Sequence, residues 1–313
     1  MKLKKSPSRA IVFPGQGSQF VGMGASFAKH PVASPLFEEA DDTLCFNLKN
    51  LMLEGDEHTL ALTENTQPAL LLAGIAALKI LEDAFEVRVS DLASFLAGHS
   101  LGEYTALVAG GVLSFPDALR LVRLRGQAMQ AAVPTGKGKM AAILGLSFDE
   151  VQNIATREEV YIANDNAEGQ VVLSGLAENV EQACKAAKVA GAKRAVELSV
   201  SAPFHSPLVA DAADVMAHAF RGVAFSSPCL TIVANVRAEA VLEASEWPEL
   251  LTQQITQTVR WRESMVYLAE SGVCSILELG SGKVLSGLAK RCDKRLEGNS
   301  LQSVDDIKNY IKT

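Results

Sequence analysis

The sequence lacks the features that mark several common classes of protein. Cysteine is scarce: five residues are scattered over a chain of 313, without metal-ligand spacing, so neither a disulfide framework nor a metal site is predicted. No apolar stretch reaches membrane-spanning length without a charge or a break, and no apolar signal core follows the first lysines. We therefore expect a cytoplasmic protein with reduced thiols and no membrane contact.

Positive charge is also scarce. The chain has 29 Lys and Arg against 36 Asp and Glu, a formal net charge of −7. General nucleic-acid binding is therefore disfavoured, because phosphate contacts need a basic surface. An acidic partner could dock only on a local basic patch, and solvated surface is an equally good interpretation of each candidate patch. The two candidates are Lys290, Arg291, Lys294 and Arg295, and Lys185, Lys188, Lys193 and Arg194.

The chain is rich in apolar side chains that occur in short, regularly broken runs. Hydrophobic residues make up 48% of it, enough for a sizeable core and for one large and one small domain. Predicted strands alternate with predicted helices, which is typical of a mainly parallel sheet covered on both faces. The predicted strands are 10–13, 92–97, 229–234 and 273–279, and the helices are 69–81, the segment after 100, 116–132 and 210–220.

The pattern changes after a break at 134–138 that contains proline and glycine. The order β-α-β-β-α-β follows, which is that of a ferredoxin-like unit. We place this small domain at 136–202, inserted into a discontinuous large domain made of 1–135 and 203–313. Its predicted strands are 140–146, 160–163, 171–174 and 195–200, and its helices are a short one capped by Ser147 and Glu150 and one over 178–190.

Residues 98–102 read Gly-His-Ser-Leu-Gly between a predicted strand and a predicted helix. This pattern is typical of a strained turn that exposes a nucleophilic serine. Gly98 and Gly102 are needed because a side chain at either position would collide across the turn. Ser100 is therefore the candidate nucleophile. The amide of Leu101, at the helix start, is a candidate donor to an oxyanion.

A serine hydroxyl needs a base, and His205 is the best placed of the five histidines. It follows a predicted strand in a proline-bounded loop, and strand-end loops are where such folds carry catalytic groups. An ordinary loop histidine is an equally weighted alternative. A second oxyanion donor is expected from another strand-end loop, and 13–17 fits because its glycines allow close backbone approach; an ordinary tight turn is the alternative.

Arg125 is the best indication of the substrate. At 3.6 residues per turn it falls in the middle of the apolar stripe of its helix. A guanidinium facing inward cannot lose its charge and is costly to bury alone, so it must meet an anion. That anion is either an internal Asp or Glu or a carboxylate on the ligand, held in a bidentate fork.

Three other positions carry weak signals. Asn164 ends a predicted strand of the small domain, where turn chemistry is the plain interpretation. Gln254 has no local signature. The segment 280–284, Gly-Ser-Gly-Lys-Val, resembles a phosphate-binding loop but lacks its spacing, so a nucleotide site is excluded.

Several sequence blocks together resemble the malonyl-CoA:acyl carrier protein transacylases of fatty-acid synthesis, over roughly residues 10–295. The blocks occur in that family's order and spacing. They are 13–19, 98–104, Arg125 within 124–129, and 202–205, with 163–164, 169–172 and 277–280 adding to the match.

The resemblance implies an α/β-hydrolase-like core with a mainly parallel sheet and an inserted ferredoxin-like subdomain. It implies a ping-pong reaction in which Ser100 takes malonyl from malonyl-CoA, with His205 as base, and passes it to the phosphopantetheine thiol of acyl carrier protein. The amides of Gln16 and Leu101 then hold the oxyanion, and Arg125 grips the free carboxylate.

The resemblance also implies roles for residues with little signal of their own. The backbone carbonyl of Gln254 orients His205, and Asn164 lines the active site. Phe204 favours malonyl over methylmalonyl, because a ring there would crowd a branched α-carbon. Neither a metal nor a cofactor is expected, since the coenzyme A thioester is itself the substrate. The expected partners are malonyl-CoA and acyl carrier protein, and a monomer is expected.

The sequence departs from the family pattern at two places. Gln257-Thr258 replaces a stretch that commonly bears proline, and Ser281 stands where proline is frequent. Three rival functions remain: a serine thioesterase or esterase with the same turn, a polyketide-type acyltransferase, and a non-catalytic carrier-binding module. A hydrolase would pass the acyl group to water and would give Arg125 no task.

Overall fold

The computed structural model describes residues 8–134, 136–198, 200 and 202–312. Residues 135 and 201, at the predicted domain boundaries, and the two chain ends of the predicted large domain lie outside the described residues. Within the described ranges the chain forms a six-stranded and a four-stranded sheet. Each helix found there is too short or too polar to cross a bilayer.

The strands and helices are numbered in chain order. The strands are β1 (Arg9–Phe13), β2 (Phe95–Gly98), β3 (Gly138–Leu144), β4 (Tyr161–Ala167), β5 (Gln170–Leu176), β6 (Arg194–Glu197), β7 (Thr231–Ala234), β8 (Glu239–Val241), β9 (Ser275–Leu279) and β10 (Glu297–Leu301). The helices are α1 (Ala25–Ala28), α2 (Ser34–Leu44), α3 (Leu48–Glu54), α4 (Glu57–Ala61), α5 (Thr63–Phe85), α6 (Val89–Leu92), α7 (Leu101–Ala109), α8 (Phe115–Ala131), α9 (Phe148–Arg157), α10 (Ala177–Val189), α11 (Ala210–Phe220), α12 (Trp247–Thr256), α13 (Trp261–Glu270), α14 (Val284–Cys292) and α15 (Val304–Lys312).

The large sheet has the strand order β10-β9-β1-β2-β7-β8. Its pairings are parallel except for the last, β7 with β8. Side chains alternate along β1, so that Ile11 and Phe13 join one apolar cluster and Ala10 and Val12 join the cluster on the other face. The predicted α/β fold with a mainly parallel sheet is confirmed. The short edge strand β8 and the strand β10 were not predicted.

The second sheet has the order β4-β5-β3-β6 and is antiparallel throughout. Helices α9 and α10 supply the β-α-β-β-α-β order, and the predicted capping box of Ser147 and Glu150 is present at the start of α9. The predicted end of β4 was wrong: the strand continues through Asn164 to Ala167. Backbone hydrogen bonds on both sides keep this polar stretch extended, because β5 pairs with one edge and the segment around Val259 with the other.

Polar contacts join the second sheet to α13, to the segment before it and to the turn after β2. The amide of Asp165 donates to the carbonyl of Val259 at 3.0 Å, and the Asp165 carboxylate forms an ion pair with Arg262 at 2.7 Å. One residue further along β4, Asn166 Oδ1 lies 2.7 Å from His99 Nε2. These contacts hold the small sheet against the turn that carries Ser100.

Candidate active site

The carboxyl ends of β1 and β2 lie side by side in the middle of the large sheet. Strand order reverses on the other side of β1, between β1 and β9, and open α/β sheets bind ligands beyond the carboxyl ends of strands near such a point. β2 ends at Gly98 and α7 begins at Leu101, so the chain turns within two residues. Ser100 has φ 50° and ψ −106°, in the left-handed half of backbone space that strains a residue with a side chain. The sharp corner predicted from the sequence pattern is therefore confirmed.

The two glycines of this turn occupy positions with no room for a side chain. A Cβ on Gly98 would lie 1.8 Å from the carbonyl oxygen of Gly102, and a Cβ on Gly102 would lie 2.1 Å from the carbonyl oxygen of Phe13. Both obstacles are backbone atoms of packed elements, which cannot move aside. The predicted need for glycine at both positions is confirmed, and Gly102 is where α7 touches β1.

Replacing Gly102 by alanine should destabilise the fold by about 2–3 kcal/mol or more, because the new methyl group must push α7 away from β1. The measurement is the free energy of unfolding in denaturant. Gly287→Ala is the matched control, since α14 is helical there and a Cβ meets no atom within 4 Å. That control should be neutral or stabilising by about 0.5–1 kcal/mol. Equal effects of the two changes would contradict the contact.

His205 lies within reach of the serine. Its Nε2 is 2.8 Å from Ser100 Oγ, and its Nδ1 is 2.7 Å from the backbone carbonyl oxygen of Gln254. Because a carbonyl only accepts, Nδ1 carries the proton and Nε2 is free to accept the serine hydroxyl proton. The carbonyl is available because Gln254 lies in the last turn of α12, where carbonyls have no partner further along the helix.

The environment of His205 keeps its imidazole neutral. Burial, with a further contribution from the nearby Arg125 cation, lowers the pKa of His205 to about 3. The residue has φ 55°, so both members of the serine–histidine pair have left-handed backbone conformations. The loop is fixed by Ser206, whose hydroxyl donates to the carbonyl of Pro203 at 2.6 Å.

Arg125 lies on α8 and is 1% exposed, as the helical periodicity predicts. Its Nη1 donates to Gln67 Oε1 at 2.9 Å, and its Nη2 donates to Ser100 Oγ at 3.1 Å and to Gln254 Oε1 at 2.7 Å. These acceptors are neutral. Among the described residues no Asp or Glu forms an ion pair with Arg125, so the internal acid partner that the sequence left open is not found.

Gln254 joins the serine, the histidine and the arginine. Its backbone carbonyl accepts from His205, and its side-chain oxygen accepts from Arg125. Its Nε2 donates to the carbonyl of Ser100 at 2.8 Å and to Glu103 Oε2 at 2.6 Å. The residue is fully buried, so these contacts define one geometry for the site. A serine–histidine pair beside a buried cation is suited to transferring an acyl group that carries a negative charge.

Comparison with known proteins gives the same chemistry. A family model described as an acyl transferase domain matches residues 10–305. The malonyl CoA-acyl carrier protein transacylase of Bacillus subtilis (strain 168) is 44% identical over 310 residues, which cover 97% of this chain and 96% of that protein. The chain belongs to the acyl transferase family.

Solved structures of relatives superpose closely on this acyltransferase. An acyl-carrier-protein-S-malonyltransferase from Bartonella henselae gives a TM-score of 0.94 at 42% identity, covering 97% of this chain and 98% of that one. A type II PKS acyl-carrier protein in complex with its malonyl-transacylase gives 0.92 at 40% identity, covering 97% and 99%. The resemblance drawn from the sequence is confirmed.

The two amides expected to hold an oxyanion flank the serine of the acyltransferase. Leu101 is the first residue of α7, and Gln16 lies in the loop after β1. A Cβ on Gly15 would lie 2.6 Å from the carbonyl oxygen of His99, so this loop packs directly on the turn. Among the described residues neither amide donates a hydrogen bond. Their roles stay predictions, which this geometry supports.

The remaining predicted residues lie around this centre. Phe204 is buried in the large core next to His205. Asn164 is buried in β4 opposite Val259, and within the described part of the chain it makes no hydrogen bond to Ser100, His205 or Arg125. A role of Asn164 in substrate binding therefore stays a prediction.

Two clefts each reach one of the predicted site residues. One, of about 500 Å³, reaches His205 between β4 and the segment 256–260. The other, of about 610 Å³, reaches Gln16 beside α4. Within the described ranges no group of three or more His, Cys, Asp or Glu side chains could hold a metal ion.

Three residues of the acyltransferase site were missed from the sequence: Gln67, Glu103 and Asn235. Glu103 is a charged residue inside the apolar helix α7, which is the same signal that identified Arg125. Asn235 directly follows β7, and strand ends were the expected place for site residues. Gln67 follows the polar residues at the start of α5, directly before Pro68, and had no distinguishing signal.

Proposed function

We propose that this acyltransferase moves a malonyl group from malonyl-CoA to the phosphopantetheine thiol of acyl carrier protein, through an ester on Ser100, in fatty-acid synthesis. The observation that carries the proposal is the buried Arg125 guanidinium, 3.1 Å from the Ser100 hydroxyl and held by neutral acceptors. Such a cation is costly to bury without an anion, and a malonyl carboxylate supplies one. The names of the relatives support the same substrate.

In the first half reaction Ser100 attacks the thioester carbonyl of malonyl-CoA. The serine O–H bond breaks as its proton passes to His205 Nε2, and a C–O bond forms while the carbonyl electrons move to oxygen. The amides of Gln16 and Leu101 stabilise this oxyanion. When it collapses the C–S bond breaks, and the coenzyme A sulfur takes the proton from His205. The products are malonyl-Ser100 and free coenzyme A.

The second half reaction runs the same steps in reverse with the carrier thiol. His205 takes the thiol proton, the sulfur attacks the ester carbonyl, and the C–O bond to Ser100 breaks. The proton then returns to the serine oxygen. Both sulfurs must stand next to His205, because it protonates one and deprotonates the other. We therefore assign both phosphopantetheine arms to the cleft that reaches His205.

Arg125 also links substrate charge to the rate of chemistry. Its cation disfavours a second positive charge on His205, and this repulsion contributes to the low pKa of the imidazole. A malonyl carboxylate bound to the guanidinium cancels that repulsion, so His205 accepts the serine proton more readily. An acetyl group leaves the repulsion in place. Phe204, buried beside His205, is our candidate for rejecting branched acyl groups.

The test of this function is mass spectrometry after mixing the enzyme with malonyl-CoA. We expect the mass of one malonyl group on the peptide that contains Ser100 and on no other peptide. Adding acyl carrier protein with its phosphopantetheine arm should remove the malonyl group from Ser100 and transfer it to the carrier thiol. The unmodified carrier, which lacks the thiol, is the matched control and should clear nothing. Acetyl- and methylmalonyl-CoA run in parallel define the acyl preference.

Each rival function has a distinct outcome in this experiment. A thioesterase would release free malonate at the same rate with or without the carrier. A carrier-binding module would bind the carrier but form no adduct, and the proposal would then fail. Equal loading of a polyketide carrier would show that the enzyme also accepts that kind of carrier. The complex of a type II PKS acyl-carrier protein with its malonyl-transacylase is the specific reason to test this acceptor.

A further inference from the structure

The mechanism leaves one buried ionisable group without a task. Glu103, on the first turn of α7, is 1% exposed. Its Oε1 accepts from the backbone amide of Asn235 at 2.7 Å, and its Oε2 accepts from Gln254 Nε2 at 2.6 Å. A buried carboxylate without a direct cation is costly, and burial raises the pKa of Glu103 to about 7. A role that needs this carboxylate would explain its position.

Two acceptors, the Glu103 carboxylate and the Ser100 carbonyl, determine how the Gln254 amide is turned. The amide places Nε2 toward Glu103 and the Ser100 carbonyl, so its oxygen must face Arg125. A flipped amide would set oxygen against both of those acceptors and a nitrogen against the guanidinium. The Glu103 carboxylate therefore keeps Gln254 Oε1 facing Arg125, where it accepts a hydrogen bond from the guanidinium.

The same arrangement places the negative charge of Glu103 near Arg125 without a direct ion pair. Glu103 and Arg125 influence each other electrostatically, since the Arg125 cation lowers the pKa of the Glu103 carboxyl against the effect of burial. The Gln254 side chain stands between them, with its nitrogen bonded to one and its oxygen to the other. A direct ion pair would occupy the guanidinium that a ligand carboxylate needs.

Asn235 extends this network to the nucleophile. Its Nδ2 donates to the carbonyl of Gly98 at 2.7 Å, and its Oδ1 accepts from the amide of Ser100 at 2.8 Å. Asn235 therefore fixes the serine turn through two side-chain contacts, while its own amide is fixed by Glu103. One carboxylate supports both the arginine and the turn.

We propose that Glu103 is a positioning residue for acid selection: it holds the Gln254 amide so that Arg125 is supported and offset in charge, yet unpaired and available to the carboxylate of the acyl group. This inference rests on the proposed malonyl transfer. It predicts that loss of the Glu103 carboxylate harms the transfer of acidic acyl groups more than that of neutral ones.

The test variant is Glu103→Gln. In this variant the side chain at position 103 has one acceptor oxygen, although two donors face it. The backbone amide of Asn235 keeps its hydrogen bond to that oxygen, so the Gln254 amide must flip or lose its hydrogen-bond partner. We expect the ratio of kcat/KM for malonyl-CoA to that for acetyl-CoA to fall by about 10- to 100-fold, chiefly through the KM of malonyl-CoA. Because the measured quantity is a ratio, any change at Ser100 that affects both thioesters equally cancels.

Glu278→Gln is the matched control. Its carboxylate is also buried and also accepts from two amides, those of Leu285 and Ser286, at 3.2 and 2.8 Å. Among the described residues it makes no hydrogen bond to Arg125, Gln254 or Ser100. The control should lower the unfolding temperature without changing the malonyl-to-acetyl ratio. An unchanged ratio in Glu103→Gln would reduce Glu103 to a structural residue and overturn the inference.

A double variant keeps the inference testable if Glu103→Gln folds poorly. Combining it with Gln254→Glu restores one carboxylate to the network but moves it into direct contact with Arg125. We expect the unfolding temperature to recover while the ratio stays low. Recovery of the ratio would contradict the need for an unpaired guanidinium. Failure of the wild-type enzyme to form malonyl-Ser100 would instead reject the proposed function.

Discussion

Replacing Arg125 by alanine should lower kcat/KM for malonyl transfer by about 100-fold or more, while acetyl transfer survives or becomes faster. Removing one partner of a buried charge pair typically costs about 3–5 kcal/mol, which is more than two orders of magnitude. Acetyl-CoA has no carboxylate to lose, and removing the cation also lifts its repulsion of the imidazolium on His205. The measurement is the kcat/KM of each thioester, with the carrier thiol as acceptor.

Arg123→Ala is the matched control for this change. Arg123 lies on the same helix, stacks on Phe46 with its Cζ 4.1 Å from the ring centroid, and donates to Asn65 Oδ1 at 3.3 Å. Its loss removes an arginine from α8 and leaves the contacts of Ser100 intact, so the malonyl-to-acetyl ratio should not move. Equal loss of malonyl and acetyl transfer in Arg125→Ala would remove Arg125 from its role as the carboxylate-binding residue.

The same arginine separates the enzyme from hydrolases built on the same turn. A serine–histidine pair at a strand-end turn serves esterases and acyltransferases alike, so the pair by itself does not identify the reaction. A buried cation within hydrogen-bond distance of the nucleophile favours acyl groups with a second, charged end. The acceptor, a thiol instead of water, is decided by the transfer experiment.

The turn and the arginine could be predicted because each depends on a local pattern. Gly98 and Gly102 have a steric reason that holds wherever a strand turns sharply into a helix. Arg125 is recognisable because 3.6-residue periodicity places it inside an otherwise apolar stripe. His205 had only its loop position to suggest a catalytic role, because its pairing with Ser100 joins residues 105 apart in the chain.

The supporting network could not be predicted because it depends on long-range packing. Gln254 acts partly through a backbone carbonyl at a helix end, which any residue type supplies, so its identity carries no signal for that role. Asn235 and Glu103 meet across 132 residues. The extension of β4 through Asn164 was missed for the same reason, because a segment nearly 100 residues later pairs with its edge and overrides turn-forming composition.

Replacing His205 by alanine should slow the formation of malonyl-Ser100 by about 1,000-fold or more, because the serine proton then has no acceptor at 2.8 Å. The measurement is the rapid release of coenzyme A in a single turnover. Ser100→Ala defines the rate without a nucleophile. His218→Ala, which removes an exposed histidine on α11, should leave the rate unchanged. A His205→Ala enzyme that acylates at the wild-type rate would contradict the role of His205 as base.

The pH dependence of the wild-type enzyme tests the same residue. The imidazole is active as a base in its neutral form, and burial beside Arg125 lowers its pKa from 6.5 to about 3. His205 therefore stays neutral well below pH 6.5, and acidification across that value should not remove activity by protonating His205.

Glu103, whose pKa burial raises to about 7, is a second titrating group of this network. Because kcat/KM reports groups of the free enzyme, it is recorded against pH for the wild type and for Glu103→Gln. Loss of activity near pH 6.5 in both would mean that His205 titrates as an exposed histidine, whereas loss in the wild type alone belongs to Glu103.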